Sequence, residues 1–167
     1  MPRPKDYYRI DLPAKAYQQY SGDCPYTFEL PVYSNYTEAG GRENEKCRGN
    51  IEFPSLHAKI HLTYKQVNND IATFLEDSRK LSYKHSVKAS GIQEFIINEP
   101  QQKVYGTIYE IGGSAASAIQ FHVTDSSNHF LRGALYFYAS PNPDSLAPVL
   151  SFVRKDIEHM LKTFKWK

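Results

Sequence analysis

The stretch IQEFIINEPQQKVYGTIYEIGGSAASAIQFHVTDSSNHFLRGALYFY, residues 92–138, decides the fold. It divides into four extended runs, Ile92 to Asn98, Lys103 to Ile111, Ala118 to Thr124 and His129 to Tyr138, rich in the β-branched and aromatic residues that suit a pleated surface. Between them stand Glu99-Pro100-Gln101-Gln102, Gly112-Gly113-Ser114 and Asp125-Ser126-Ser127-Asn128. Connectors this short predict consecutive antiparallel neighbours, because a parallel return needs a crossover of about a dozen residues. In the last two runs apolar residues occupy both parities: Ile119, Phe121 and Val123, then Phe130, Leu131, Leu135, Tyr136 and Phe137. The expectation is a four-stranded meander covered on both faces.

The covers lie on either side of it in the chain. Downstream, Asp144 or Ser145 can cap a helix with Pro148 in its first turn, and Leu146, Val149, Leu150, Val153, Ile157, Met160, Leu161 and Phe164 form one stripe. Upstream, Asn69 or Asp70 can cap a second helix, with Ile71, Phe74, Leu75 and Ser78 or Leu81 at helical spacing; Ser90-Gly91 would stop it after about Ala89. Before that, His57 to Tyr64 alternates as a strand, Ala58, Ile60, Leu62 and Tyr64 on one face and His57, Lys59, His61 and Thr63 on the other. The N-terminal part offers extended runs at Tyr7 to Leu12 and Tyr26 to Leu30, each ended by a proline, and then a polar surface excursion from Tyr33 to Asn50 with Gly40-Gly41 and the charged cluster Arg42 to Lys46. The class is α+β: an antiparallel sheet, the C-terminal meander plus N-terminal strands, packed between helices. One domain spans 1–167, with a loop-rich part at 1–50 and a strand, helix, meander, helix core at 51–167.

Composition narrows the function. Twenty Lys and Arg against 18 Asp and Glu leave +2, too weak a field to concentrate nucleic acid or anionic lipid. No run approaches the roughly 20 apolar residues of a membrane span, and the start MPRPKDYYRIDLP lacks the apolar core of a signal peptide. Thirteen tyrosines beside 9 Phe and one Trp suit sites where a ring packs while its hydroxyl reaches water or a partner. Tyr7, Tyr8, Tyr17, Tyr20, Tyr26, Tyr33 and Tyr36 crowd the N-terminal third, where packing explains most and rings left outside the core would form a protein-binding surface. Cys24 and Cys47 are either a bridge or two thiols; a bridge would close a loop of about 23 residues, worth on the order of 3 kcal/mol.

Reactive chemistry finds little support. Ser114 is the one nucleophile to nominate, with His122, Asp125 and His129 in the next hairpin, yet it lacks a Gly-x-Ser-x-Gly elbow and a glycine pair between strands is first a turn. Asp125 with Asn128 should shape its own turn. His57 and His61 on one strand would stand roughly 13 Å apart, too far to share an ion. His85 has no second histidine one helical turn away, and His159 belongs on the outer side of the last helix. No catalytic, cofactor or metal set is assigned. The helix carries Arg79-Lys80 and Lys84-His85 around Tyr83, a solvated face or a dock for an acidic partner. Arg132 sits among apolar strand neighbours: buried, it needs a carboxylate; at an edge, it is a contact. Tyr7, Tyr8, Arg79, Lys84, His85 and Arg132 are the candidate interaction surface.

Several segments resemble the gliding motility lipoprotein GldD family: PRPKDYYRIDLP near the start, Cys24-Pro25-Tyr26-Thr27-Phe28-Glu29, EDSRKLSYKHSVKA (76–89), KVYGTIYEIGGSAAS (103–117) and HFLRGALYFYASPNPDSLAPVLSFVRKDIEHMLKTFKW (129–166). The resemblance implies a lipid-anchored periplasmic or outer-membrane protein of the cell envelope, needed by the gliding apparatus and type IX secretion, with no chemistry of its own. Its partners would be envelope proteins of a motility or secretion complex, with no nucleic acid involved. Membrane attachment would come only through an anchoring cysteine expected upstream of Met1. The element order is also similar to the PsbP-type α/β/α sandwich, an analogy of fold that transfers no function. The alternatives are a periplasmic module binding a small molecule or glycan and, behind it, a hydrolase.

Overall fold

The computed structural model describes residues 12–38, 47–84, 91–112, 117–138 and 143–167, leaving aside the side chains of 84 and 143–145. In chain order its elements are β1 Tyr17–Ser21, β2 Tyr26–Pro31, β3 Asn35–Glu38, β4 Gly49–Phe53, a 3-10 turn Pro54–Leu56, β5 Ala58–Gln66, α1 Ile71–Lys84, β6 Ile92–Glu99, β7 Val104–Ile111, β8 Ile119–Thr124, β9 His129–Phe137, α2 Pro143–Thr163 and β10 Lys165–Trp166. Seven strands make one sheet in the order β3-β4-β5-β9-β8-β7-β6 and three make a small one, β1-β2-β10. Every neighbouring pair is antiparallel. The fold is α+β, and β6 to β9 are the expected meander.

Strand alternation divides the large sheet into two unlike faces. One carries Ile51, Phe53, Ile60, Leu62, Ile108, Ile119, Phe121, Val123, Leu131 and Leu135, all buried, and meets Val149, Val153, Ile157, Met160, Leu161 and Phe164 of α2 in a single core. Fully burying one such side chain contributes about 1.5–3 kcal/mol, so this face holds the fold together. Gly133 is needed within it: an added Cβ would lie 2.1 Å from the ring of fully buried Phe121 on the neighbouring strand. Arg154 of α2 extends the same layer, pairing with Glu110 at 2.9 Å and lying over the Phe95 ring. The small sheet shares the layer with α2, inserting Tyr26, Phe28 and Leu30. The other face carries Gln120, His122, Thr124, Phe130 and Arg132 and lies under α1, whose Phe74 stacks on Phe130 with ring centroids 5.5 Å apart.

Several expectations are corrected. The polar segment 33–50 is no mere excursion, since β3 pairs with β4 from Asn35↔Glu52 to Glu38↔Gly49 and extends the sheet by two strands. Short edge strands carry polar residues because one side faces water, which hid β3 in composition. Pro31 does not end pairing ahead of itself; it is the last residue of β2, opposite Tyr17. Pro148 lies inside α2, not in its first turn, because the helix already begins at Pro143, where a missing N–H costs nothing. His57 precedes β5 in a left-handed conformation, φ 51°, and so shares no strand face with His61. The run Tyr7 to Ile10, the segment between Lys84 and Gly91, and the Arg42 to Lys46 cluster lie outside the described residues.

Candidate functional site

The α1-facing side of the sheet brings together the polar residues with the least ordinary surroundings. α1 crosses β8 and β9 and presents Ser78 and Ser82, both buried, where a helix over a sheet normally presents apolar residues. Small hydroxyls leave room for polar sheet residues beneath. Ser78 Oγ lies 3.2 Å from His122 Nδ1, and Ser82 Oγ donates to the Ser78 carbonyl at 3.0 Å and to Gln120 Oε1 at 3.3 Å. Burial, reinforced by the Arg132 charge, pulls the His122 pKa down to about 4, so the ring is neutral at pH 7. Ser78 and His122 are a serine and histidine in contact, but they are 2% and 4% exposed. With no carboxylate behind the imidazole among the described residues, they make a polar seam, not an open nucleophile.

Beyond the edge of α1 the same face is half-open and basic. Register places Thr63 opposite Arg132, His61 opposite Ala134 and Lys59 opposite Tyr136, with Asn50 beside His61 on the far side. Arg48 Nε donates to His61 Nε2 at 3.4 Å, which leaves the proton on Nδ1 to be donated to Asn50 Oδ1 at 2.7 Å. Burial and then the charges of Arg48, Lys59 and Arg132 hold the His61 pKa below the usual imidazole range. The Arg132 pKa is lowered too, by burial.

Arg132 thus departs from expectation. It lies half-buried in the middle of the sheet, not at an edge, and no carboxylate meets it among the described residues. Its guanidinium donates instead to Gln120 Oε1. Arg132 Nε and Gln120 Nε2 are buried donors without an acceptor among the described residues. His61 and Gln120 join the site although their polar-face positions singled out neither, because only the pairing of β5 with β9 and β8 brings them beside Arg132.

Other candidates fall elsewhere. Arg79 is exposed, lying over the Tyr83 ring, and the Tyr83 hydroxyl donates to Glu94 at 3.0 Å. Tyr7, Tyr8, His85 and the Lys84 side chain lie outside the described residues, as does Ser114. Asp125 accepts from the backbone N–H groups of Ser127, Asn128 and His129 and so builds its turn, while His129 meets the Tyr64 hydroxyl at 2.5 Å. Among the described residues no group of three or more His, Cys, Asp or Glu could hold a metal ion. No described helix is long and apolar enough to cross a membrane.

The tyrosines of the N-terminal third that are described pack inward. Tyr26 is fully buried; Tyr20, Tyr33 and Tyr36 pack against the core. Cys24 and Cys47 are joined, pinning β2 to the chain entering β4, with Cα atoms 5.6 Å apart. A second polar cluster lies at α2. Asp156, 2% exposed, accepts from Lys15 Nζ at 2.7 Å, Tyr17 Oη at 2.8 Å and Tyr33 Oη at 2.5 Å. His159 is not on an outer side: it stacks on Tyr17, centroids 3.6 Å apart, and meets Glu29 at 3.1 Å.

The fold is therefore an antiparallel sheet domain with a disulfide-pinned edge, a sealed apolar face and a basic strip on the other. The profile of the gliding motility lipoprotein GldD family matches residues 1–166, and the chain belongs to that family. Membership associates it with gliding motility and with the lipoproteins of the cell envelope. Comparison with curated proteins returns no match. Among solved structures the chain is similar to the solution structure of cyanobacterial PsbP (CyanoP) from Synechocystis sp. PCC 6803, at 13% identity over 94% of this chain and 96% of that one, with a TM-score of 0.49. No residue role passes from that likeness.

Proposed function

We propose that the protein acts by binding and not by catalysis, as an envelope component that supports gliding motility, type IX secretion or both through contacts with other proteins of the machinery, on the periplasmic side and anchored at the outer membrane. Family membership across residues 1–166 carries this reading. The described residues add a consistent feature: the contact of Ser78 with His122 is sealed beneath α1, whereas Arg132, with no carboxylate partner among the described residues, lies half-buried on the basic strip. The test is a deletion strain complemented with tagged protein. Restored gliding or secretion, with motility or secretion components co-purifying after crosslinking, supports the reading. Restoration with none of those components recovered counts against it. A periplasmic module for a small molecule is the second reading, favoured by the same strip, and a ligand that raises the melting temperature of the isolated protein would single it out.

A further inference from the structure

The basic strip holds more hydrogen-bond donors than acceptors among the described residues. The Arg132 guanidinium carries five N–H donors. Its one acceptor among the described residues, Gln120 Oε1, is shared with Ser82 Oγ. Arg132 Nε and Gln120 Nε2 have no acceptor among the described residues, and Gln120 is 1% exposed. An unmatched buried donor costs stability, and a guanidinium with spare N–H groups favours a further acceptor. Around them, among the described residues, cations outnumber carboxylates, with Arg48, Lys59 and Arg132 against Glu52. Lys59 and Arg132 stand two residues either side of the His61–Ala134 pair, and with Arg48 all three cations act on His61. Glu52 is the nearest acidic residue by register, opposite Lys59, but it pairs with neither Lys59 nor Arg132. Ala134, 1% exposed, contributes only a methyl group between them.

We propose that this strip, Arg132 with Lys59 and His61, binds a carboxylate. A planar carboxylate takes two parallel N–H donors from a guanidinium, and its two oxygens offer acceptors for the Arg132 N–H groups that Gln120 Oε1 leaves unmatched. Lys59, its ammonium over the Tyr138 ring, supplies a second charge at the rim. The assignment stands independently of the protein-interaction reading, since the carboxylate can belong to a free small acid or to an acidic side chain or terminus of another protein.

The experiment is a heteronuclear NMR titration of the whole chain, following the Arg132 Nε–H and the amides of His61 and Ala134. One arm uses glutarate, the other an N-acetylated hexaglutamate peptide, each against sodium chloride at matched ionic strength. Saturable shifts beyond the chloride control, at least tenfold weaker in Arg132→Gln and in Lys59→Gln, are expected. Lys59→Gln keeps the test usable should Arg132→Gln disturb folding, because Lys59 lies at the rim. Shifts with glutarate identify a free acid as sufficient, and shifts with the peptide alone show that the carboxylate must come on a chain. No saturable shift in either arm, or equal binding by both variants, overturns the assignment.

Discussion

Asp156 gives the sharpest test of how this fold is held, because one buried carboxylate ties three elements together. Its Oδ1 accepts from Lys15 and Tyr17 and its Oδ2 from Tyr33, joining the chain before β1, β1 itself and the turn after β2 to α2. Asp156→Ala removes both acceptor oxygens and with them all three hydrogen bonds. Tyr17 and Tyr33 then hold hydroxyls without their partner, and Lys15 keeps the Phe152 carbonyl at 2.8 Å and the Phe152 ring. Breaking a buried ion pair costs about 3–5 kcal/mol. The Lys15 side chain is 30% exposed, so water recovers part of its loss and the lower end, about 3 kcal/mol, applies. For a domain of this size that lowers the melting temperature by roughly 6–12 °C.

Asp156→Asn keeps one acceptor oxygen and should cost about half as much, the neutral hydrogen bonds surviving in part. Urea and thermal unfolding followed by circular dichroism measure both, and a double-mutant cycle with Lys15→Met isolates the pair. Amide exchange adds a local readout: the Val32 N–H, bonded to the Ala16 carbonyl at 2.9 Å, should lose protection before the amides of β8 do. A loss under about 0.5 kcal/mol for Asp156→Ala, the range of an ordinary surface substitution, would show that the cluster ties nothing and that the apolar core alone seats the N-terminal strands.

Reducing the Cys24–Cys47 bridge, or replacing both residues with serine, should cost on the order of 3 kcal/mol for a closed loop of this length; an unchanged urea midpoint with and without reductant would refute that. Gly133→Ala should cost about 1–3 kcal/mol by forcing Phe121 out of its place, whereas the neighbouring Ala134→Gly should not disturb that ring; equal stability of Gly133→Ala and wild type rules out the crowding. Acid should destabilise the protein as pH falls from about 6.5 to about 4. The unfolded chain protonates His122 at its ordinary value while the fold resists until about 4, so the unfolded state binds the extra proton and stability falls with pH. His122→Gln should flatten that part of the unfolding profile, and an unchanged slope would refute it. At the alkaline end Tyr17, Tyr20, Tyr26, Tyr33 and Tyr36 all have raised pKa values, with burial as the first cause. Stability should therefore be complete below about pH 10 and decline above it, Tyr36 ionising only near 12, as ultraviolet titration of tyrosinate would show.

The meander and both helices were legible because each is a local pattern: runs broken by short connectors for β6 to β9, and a 3.6-residue stripe for α2. β3 was not, since four polar residues at a sheet edge look like loop until β4 is seen beside them. Asp156 left a trace that could have been read. It interrupts the apolar stripe of α2 between Val153 and Met160, and a carboxylate at such a position calls for a partner. Lys15, Tyr17 and Tyr33 lie more than 120 residues away in the chain, so nothing local names them. The strip around Arg132 sits between these cases. Arg132 was conspicuous by its apolar neighbours, but the expected carboxylate does not meet it, and His61 and Gln120 become its companions only through strand register.

The contrast between the two polar clusters separates what holds this protein together from what it can offer a partner. At Asp156 one acceptor group faces three donors, charge is balanced by Lys15, and 2% exposure leaves no opening. Such a cluster is complete, and its loss should be felt as instability. At Arg132 the donors outnumber the acceptors, three cations act on one imidazole, and the surface is half-open. A fold gains nothing from leaving donors unmatched on its own account, since each costs stability. Arg132→Met should accordingly leave stability unchanged or raise it, as replacing a poorly compensated buried charge by an apolar chain often does, while abolishing carboxylate binding. A melting temperature that falls by several degrees in Arg132→Met would mean the guanidinium is already satisfied within the fold, and the strip would then be structural like the cluster at α2.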